Sequence, residues 1–328
     1  RPDGWWCCAL NNVTLWTPSV ASQATTGRLL GAEGAITAGI KFGSDRVVAF
    51  KADSTYVGTY VGPPTAWAWT EIPKYGCIGP DAVADLGTIL FVVGKDDIFM
   101  FDGARPIPIS DDSVRLWFNA NCSGTYRNRT LVVHDQQNDT VRVYFVSTGS
   151  STGTRDRCLV YHIRTKQWGR SDITVEAALL FTQPTVTFDA DSGTFDSATD
   201  AFDSVSVGNT VLAIFSSTHV LSTMNGIPSA SDFTLHDLGD DDQVLRLTGA
   251  RLRYMTQPTS ASMSAFSSMA TGAGVTTGDM QNAYDVPANG SNDFPLRQTA
   301  RWHRLKFSFT GYCKVTGYRV PLIPAGKR

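Results

Sequence analysis

Closely spaced aspartates are the residues of this sequence whose chemistry is easiest to name. The run Asp189-Ala-Asp-Ser-Gly-Thr-Phe195 places two carboxylates at alternate positions before a glycine, and oxygen ligands in that arrangement suit Ca²⁺. A third carboxylate and the bidentate glutamate of a complete calcium loop are missing from the run, so an aspartate-stabilised turn is favoured. The triplet Asp240-Asp241-Asp242 could also bind a cation, but a solvated linker between two domains is favoured there.

Catalytic and cofactor-binding motifs are missing from the sequence. A nucleophile elbow of the form G-x-S-x-G does not occur, and neither does a GxxxxGK[ST] or GxGxxG phosphate loop. A glycosidase needs two carboxylates with separated pKa values, and nothing singles out such a pair among the three glutamates. The six cysteines form no CxxC pair and lie at no metal spacing from the five histidines, so free and mostly buried thiols are favoured. We therefore expect a protein that is not an enzyme, with no catalytic residue, cofactor or metal.

The elements that surround these residues are predicted to be strands and turns. Of the thirty acidic residues twenty-seven are aspartate, and the 328 residues include 29 glycines and 15 prolines but only eight lysines. Aspartate and glycine favour turns, whereas glutamate and lysine favour helix surfaces. A charged fraction of 18% with 42% hydrophobic residues argues against a disordered chain and a coiled coil. No apolar run is long enough for a transmembrane helix. The composition predicts an all-β protein.

Pairs of β-type runs separated by short turns recur through the first 225 residues. Hairpins are predicted at 46–61, 88–101, 131–146, 158–170, 177–188 and 211–223. Two hairpins make one four-stranded blade of a β-propeller, and blade-like blocks fall near 40–75, 83–110, 128–175 and 177–225. A β-propeller is favoured over a two-sheet sandwich, which produces a similar pattern. One short helix is predicted after Ser110, with Asp111 and Asp112 in its first turn.

The sequence changes in charge and texture near residue 243. Residues 243–328 carry eleven Lys and Arg against three Asp, or +8, which leaves −10 on residues 1–242. Alternation at Leu245–Met255 and Arg301–Phe309 predicts half-exposed strands, the second with Trp302, Leu305, Phe307 and Phe309 as its apolar residues. The predicted organisation is an N-terminal segment over 1–35 with no assigned role, a propeller-like body over 36–240 and a C-terminal β-sandwich over 243–328.

Basic residues of the C-terminal segment are the candidate binding residues. On alternating strands they lie on the solvent face, where they could bind the phosphates of a nucleic acid or the acidic surface of a neighbouring copy. The contact between copies is favoured, and Arg251, Arg253 and Arg304 are predicted to form it. The surplus acidic residues are then predicted to line the bore of a ring.

Three parts of the sequence resemble the tail nozzle, or tail-tube hub, proteins of short-tailed bacteriophages. They are the phrase Asp102-Gly-Ala-Arg-Pro-Ile-Pro-Ile-Ser110, the repeats Thr187-Phe-Asp189, Thr194-Phe-Asp196 and Ala201-Phe-Asp203, and the ending Arg301-Trp-His-Arg-Leu to Pro324-Ala-Gly-Lys-Arg328. The resemblance implies a non-enzymatic virion protein of the tail, assembled in the host cytoplasm. It further implies a hexameric homo-oligomer below the portal and the head-to-tail adaptor, with transient passage of double-stranded DNA through the bore.

A carbohydrate-binding or glycosidase-type β-propeller is the alternative interpretation. Aromatic side chains such as Trp67, Trp69 and Trp168 could stack on sugar rings if they lay exposed. Packing of these side chains between blades is favoured, and the resemblance to nozzle proteins brings no catalytic residue with it.

Overall fold

Two compact units of β-structure make up the chain. The computed structural model describes residues 2–182, 210–224, 226, 230–272, 274–275, 284–287 and 292–327, and the units are Arg1–Asn225 and Gly226–Arg328. Within the described residues the helical elements are one α-helix, α1 (Asp112–Asn121), and a 3-10 turn at Arg127–Arg129. The prediction of an all-β protein is confirmed.

The first unit begins with an antiparallel hairpin of β1 (Gly4–Cys7) and β2 (Thr25–Arg28). Trp5 on the inner face of this hairpin packs against Trp69, with the ring centroids 5.4 Å apart. Leu29, directly after β2, is buried in the same small cluster. Residues near the N-terminus therefore pack on the strands that follow them in the first unit.

Three four-stranded antiparallel meanders and a three-stranded sheet follow along the chain. The first meander contains β3 (Ala38–Phe42), β4 (Arg46–Phe50), β5 (Ser54–Gly62) and β6 (Ala66–Pro73). The second contains β7 (Val83–Asp85), β8 (Leu90–Val93), β9 (Ile98–Phe101) and β10 (Pro106–Pro108). The third contains β11 (Leu131–Asp135), β12 (Thr140–Phe145), β13 (Arg157–His162) and β14 (Gln167–Ser171). The last sheet contains β15 (Ala177–Thr182), β16 (Thr210–Phe215) and β17 (Leu221–Thr223).

The hairpins predicted at 46–61, 88–101, 131–146, 158–170 and 211–223 are confirmed by the strand pairing. For the strand at 177–181 the prediction named 185–188 as partner, a segment outside the described residues. In the structure β15 pairs instead with β16. A hairpin prediction pairs a strand with the nearest β-type segment in the sequence. It therefore misses a partner strand that is separated by a long connection.

The first strands of successive sheets lie next to one another. β3 contacts β7, β7 contacts β11, and β11 contacts β15. All four residues of β8 are buried, because this strand is covered on both faces by neighbouring elements. Phenylalanines from all three meanders meet in the shared core, among them Phe50, Phe91, Phe101 and Phe145. A series of sheets joined through their first strands is compatible with a propeller-like body, which stays a prediction.

The predicted helix after Ser110 is present as α1. Asp111 caps it, since its carboxylate accepts a hydrogen bond from the Val114 N–H at 2.8 Å. This bond and a second from Ser113 lower the pKa of Asp111. Val114, Trp117 and Phe118 lie on one side of the helix and pack against the shared core, which is the face that their spacing predicts.

The second unit is built from three antiparallel sheets around a core of its own. Its strands are β18 (Ser231–Thr234), β19 (Leu238–Gly239), β20 (Gln243–Leu247), β21 (Ala250–Thr256), β22 (Ser260–Ser268), β23 (Tyr284–Pro287), β24 (Asp293–Phe294), β25 (Gln298–Ala300), β26 (Trp302–Thr310), β27 (Lys314–Arg319) and β28 (Leu322–Lys327). β26 pairs with β22, β18 and β19. β20 lies between β25 and β28, and β21 lies between β24 and β27.

Two details of the second unit differ from the prediction. Side chains alternate between the two faces of β26, so the residue that shares the buried face with Leu305 is His303, which is fully buried. Trp302, which the prediction grouped with Leu305, lies on the opposite face. The strand predicted over Leu245–Met255 is broken in two, because Gly249 turns the chain at a φ of 127°. β20 and β21 therefore belong to different sheets.

The boundary between the units lies before the position that composition predicted. β18 and β19 are hydrogen-bonded to β26, so residues 231–239 belong to the second unit. Counted from this boundary, residues 226–328 carry eleven Lys and Arg against eight Asp, or +3. Residues 1–225 carry seventeen against twenty-two acidic residues, or −5. The charge difference between the units is thus smaller than the predicted +8 and −10.

Candidate protein-interaction surface

The arginines of β20 and β21 face solvent because the residues between them fill the core. Leu247, Ala250 and Leu252 are buried in the core of the second unit. Arg246, Arg251 and Arg253 alternate with these residues and are exposed. Two of the three residues predicted to contact another copy, Arg251 and Arg253, therefore occupy neighbouring outward positions on one strand.

β27 adds a fourth guanidinium group to this surface. Arg319 is the direct antiparallel partner of Arg251, and like charges that oppose each other across two strands destabilise a sheet. Arg251 has a carboxylate partner in Asp293, with 3.2 Å between Nε and Oδ1. Among the described residues, no carboxylate lies within ion-pair distance of Arg246, Arg253 or Arg319. The arginine surface, defined here as Arg246, Arg251, Arg253 and Arg319, thus keeps excess positive charge.

Exposed apolar side chains lie among these arginines. Met255 follows Arg253 by two residues, and Ile323 is directly opposite Arg246 in the pairing of β28 with β20. Arginine and methionine are enriched at protein–protein interfaces, whereas lysine is depleted there. This mixture favours a protein partner for the surface over a purely electrostatic partner.

Arg304, the third predicted contact residue, lies apart from the arginine surface and is already paired. Its Nε donates to Asp237 Oδ1 at 2.6 Å and its Nη2 donates to Oδ2 at 3.0 Å. Burial opposes ionisation of Asp237, but the hydrogen bonds from Arg304 and from the Val275 N–H outweigh it and lower the pKa of the carboxyl. Arg304 therefore joins the segment before β19 to β26. The sequence could not reveal this role, since Asp237 was assigned to the other domain.

The acidic triplet at 240–242 is a structured turn between β19 and β20, whereas the prediction was a solvated linker. Asp241 Oδ1 accepts hydrogen bonds from the Gly272 N–H at 2.8 Å and from the Trp302 indole at 2.9 Å. The Gly272 bond is the main reason that the pKa of Asp241 is lowered. The part of the chain that the structure describes contains no group of three or more metal-ligating side chains. The candidate at Asp189–Asp191 and the three Phe-Asp repeats lie outside that part.

The tryptophans considered for sugar stacking are engaged in packing. Trp168 lies between the second and third meanders, 4.7 Å from the ring of Tyr161, and its indole donates to the carbonyl of Ile109. Trp69 is covered by Trp5 as described above. Trp67 meets Tyr60 edge to face, with 5.8 Å between the centroids. Trp168 therefore packs between sheets, as the favoured interpretation predicted.

All six cysteines are free thiols. Burial raises the pKa of Cys77 to about 12 and that of Cys122 to about 11, and it raises the pKa of Cys158 to about 12. A thiol with so high a pKa is not a nucleophile near neutral pH. These three cysteines therefore act as small apolar side chains of the core.

No protein-family model and no curated protein matches the sequence. Over the described residues, none of the helical segments has the length and apolar character needed to cross a bilayer. The candidate surface therefore stands on its own geometry: three unneutralised arginines, one paired arginine and exposed apolar side chains on neighbouring strands.

Proposed function

We propose that the chain is a non-enzymatic structural subunit of a short phage tail that forms a ring of identical copies. Double-stranded DNA would pass through the bore of this ring, below the portal and the adaptor. A hexameric ring follows from the resemblance to tail nozzle proteins. The observation that carries the proposal is the arginine surface, because its excess charge and exposed apolar side chains suit contact with another protein surface.

Charge complementarity within one sequence supports contact between copies. A ring needs two different surfaces on each copy, each complementary to the other. The second unit has a net charge of +3 and the arginine surface, while the first unit has a net charge of −5. Exposed carboxylates of the first unit include Asp45, Asp112 and Asp172. Acidic residues left outside the contact would face the bore, where they repel phosphate and let DNA slide.

Electron microscopy and native mass spectrometry of the purified chain test this proposal. We expect rings at low salt, and a smaller fraction of rings at about 0.5 M NaCl, because salt screens exposed charges. The double variant Arg253→Glu/Arg319→Glu should lower the ring fraction even at low salt. Lys166→Glu is the matched control, since Lys166 is exposed on a turn of the first unit.

A chain that stays monomeric under all these conditions would contradict the ring. A ring that is insensitive to salt and to both arginine substitutions would contradict the contact assigned to the arginine surface. A ring in which the residues of the arginine surface line the bore would contradict it as well. Binding on a glycan array at millimolar or tighter affinity, or turnover of a glycan, would instead favour the carbohydrate-active alternative.

A further inference from the structure

The N-terminal hairpin carries no charged side chain between its two base residues. Residues 4–27 contain no Asp, Glu, Lys, Arg or His, although 18% of the whole chain is charged. The nearest charges are Asp3 and Arg28, which lie 2.6 Å apart and neutralise each other. They meet because β1 and β2 set Gly4 opposite Arg28. The uncharged segment therefore coincides with the hairpin and its connecting loop, which we call the apolar arm (residues 4–27).

The surface of the apolar arm exposes large hydrophobic side chains. Val13 in the loop is 76% exposed, and Trp6, Leu10, Trp16 and Val20 are exposed as well. Together these five side chains expose on the order of 500 Å² of mostly apolar area, which is as large as the largest apolar patch of a typical monomer. So large an exposed apolar area on one short segment indicates a surface that leaves water when a partner binds.

The loop of the apolar arm is an internally hydrogen-bonded structure. The Ala9 N–H donates to the Leu15 carbonyl at 2.8 Å, and the Ser19 N–H donates to the Ala24 carbonyl at 3.0 Å. The Asn12 side chain accepts a hydrogen bond from the Thr14 N–H at 3.0 Å. Backbone groups that are paired internally need not be paired with water, which lowers the free energy required to move the loop into a less polar medium.

We propose that the apolar arm inserts into the interfacial region of a lipid bilayer. Tryptophan prefers the boundary between water and hydrocarbon, and the arm exposes two of them, Trp6 and Trp16, together with aliphatic side chains. The arginine surface carries charged groups that a protein partner can pair with. The apolar arm exposes polar side chains such as Asn11, Asn12 and Thr14, but none of its side chains is charged, and its base is the neutral pair Asp3–Arg28. A surface without charge enters a bilayer interface with no ion to desolvate. This inference is independent of the proposed ring.

Flotation of the full chain with phosphatidylcholine vesicles tests the insertion. We expect the chain to float with these uncharged vesicles to the same extent at about 0.1 M and about 0.5 M NaCl, because no charge pair holds it. The double variant Val13→Asp/Trp16→Asp should lose flotation. Met255→Asp is the matched control, since Met255 is 71% exposed on the second unit, and it should float as the unmodified chain does.

Quenching of tryptophan fluorescence by brominated phosphatidylcholine gives a direct reading of contact. The unmodified chain should be quenched, and Trp6→Phe/Trp16→Phe should lose the quenching while it still floats. This measurement on the unmodified chain remains decisive even if the aspartate variant fails to fold.

Three outcomes would overturn the proposal. The first is no flotation of the unmodified chain, and the second is equal flotation of the Val13→Asp/Trp16→Asp variant. The third is a change of oligomeric state in that variant when no vesicles are present, because a second copy would then be the partner that covers the arm. Rings that form without vesicle binding would leave the proposed function intact and reject this inference alone.

Discussion

The ammonium group of Lys51 donates a hydrogen bond to the backbone carbonyl of Leu29, with 2.6 Å between Nζ and O. Lys51 follows β4 and is fully buried. A second bond joins it to the Ala32 carbonyl, and its Nζ lies 5.5 Å from the centroid of the Tyr56 ring. A charge can be buried only if such contacts replace its water. Residues 29–32 are therefore held on the first meander, and the segment 1–35, which had no assigned role, is part of the first unit.

Replacement of Lys51 by methionine should release the N-terminal hairpin from the first meander. The substitution keeps the apolar stem but leaves two carbonyls without their donor, which should lower the free energy of unfolding by about 1–3 kcal/mol. Hydrogen exchange should show faster exchange of the amides of β2 and of Leu29. Lys41→Met, at an exposed position of β3, should change neither quantity. Equal exchange in both variants would mean that Lys51 does not hold the hairpin.

The stability of the second unit should fall below pH 6.5, because His303 is buried in the neutral form. Its Nε2–H donates to the Leu245 carbonyl at 3.2 Å, and its Nδ1 lies 3.3 Å from Gln298 Oε1. Burial lowers the pKa of His303, so between that value and the unfolded pKa of about 6.5 the unfolded chain binds more protons. The stability contributed by the neutral form is complete above pH 6.5 and is lost as the pH falls towards the folded pKa.

Urea unfolding at several pH values measures this dependence. His303→Gln should flatten it. His134, whose pKa is also lowered by burial, lies in β11 of the first unit, so it should not contribute to the pH dependence of the second unit. If the free energy of unfolding of the second unit changes with pH between about 5 and about 7 in the variant as it does in the unmodified chain, burial of neutral His303 is not the cause.

Asp237→Asn should destabilise the second unit more than Asp232→Asn. The side chains of Asp237 and Arg304 are 23% and 27% exposed and share two hydrogen bonds, whereas those of Asp232 and Lys306 are 52% and 41% exposed. We expect a loss of about 1–2 kcal/mol for Asp237→Asn and less than about 0.5 kcal/mol for Asp232→Asn. Chemical denaturation measures both, and the opposite order would be inconsistent with Arg304 as a structural residue.

Gly249→Ala should destabilise the junction between β20 and β21. Gly249 has a φ of 127°, and an added Cβ would lie 2.7 Å from the carbonyl oxygen of Phe294. Strain and close approach together should reduce the free energy of unfolding by about 1–3 kcal/mol. Gly317→Ala in β27 is the control, because its Cβ would meet no atom within 4 Å. Similar thermal midpoints for the two variants would show that the junction tolerates a side chain.

Contacts between residues close in sequence could be predicted without the structure. The hairpin at 46–61 and the helix cap at Asp111 follow from alternation, turn residues and a short polar side chain, all of which act over a few residues. The candidate site was predicted in part, since Arg251 and Arg253 follow from alternation on one strand. Arg246 was present in the same pattern, but nothing in the sequence ranked it above the other basic residues.

What the sequence determined by itself was the all-β class, the order of the first meanders and the outward position of the arginines in β21. These features depend on the alternation of side chains between the two faces of a strand, which repeats every two residues and is visible in the sequence. The tertiary structure alone decided that Asp237 neutralises Arg304 and that Arg319 opposes Arg251. Each of these pairs joins segments that are far apart in sequence, and sequence alone states neither which segments will meet nor in what register. The net charges of the two units differ from the predicted ones for the same reason, because β18 and β19 pair with β26 and bring the five aspartates between residues 232 and 242 into the second unit.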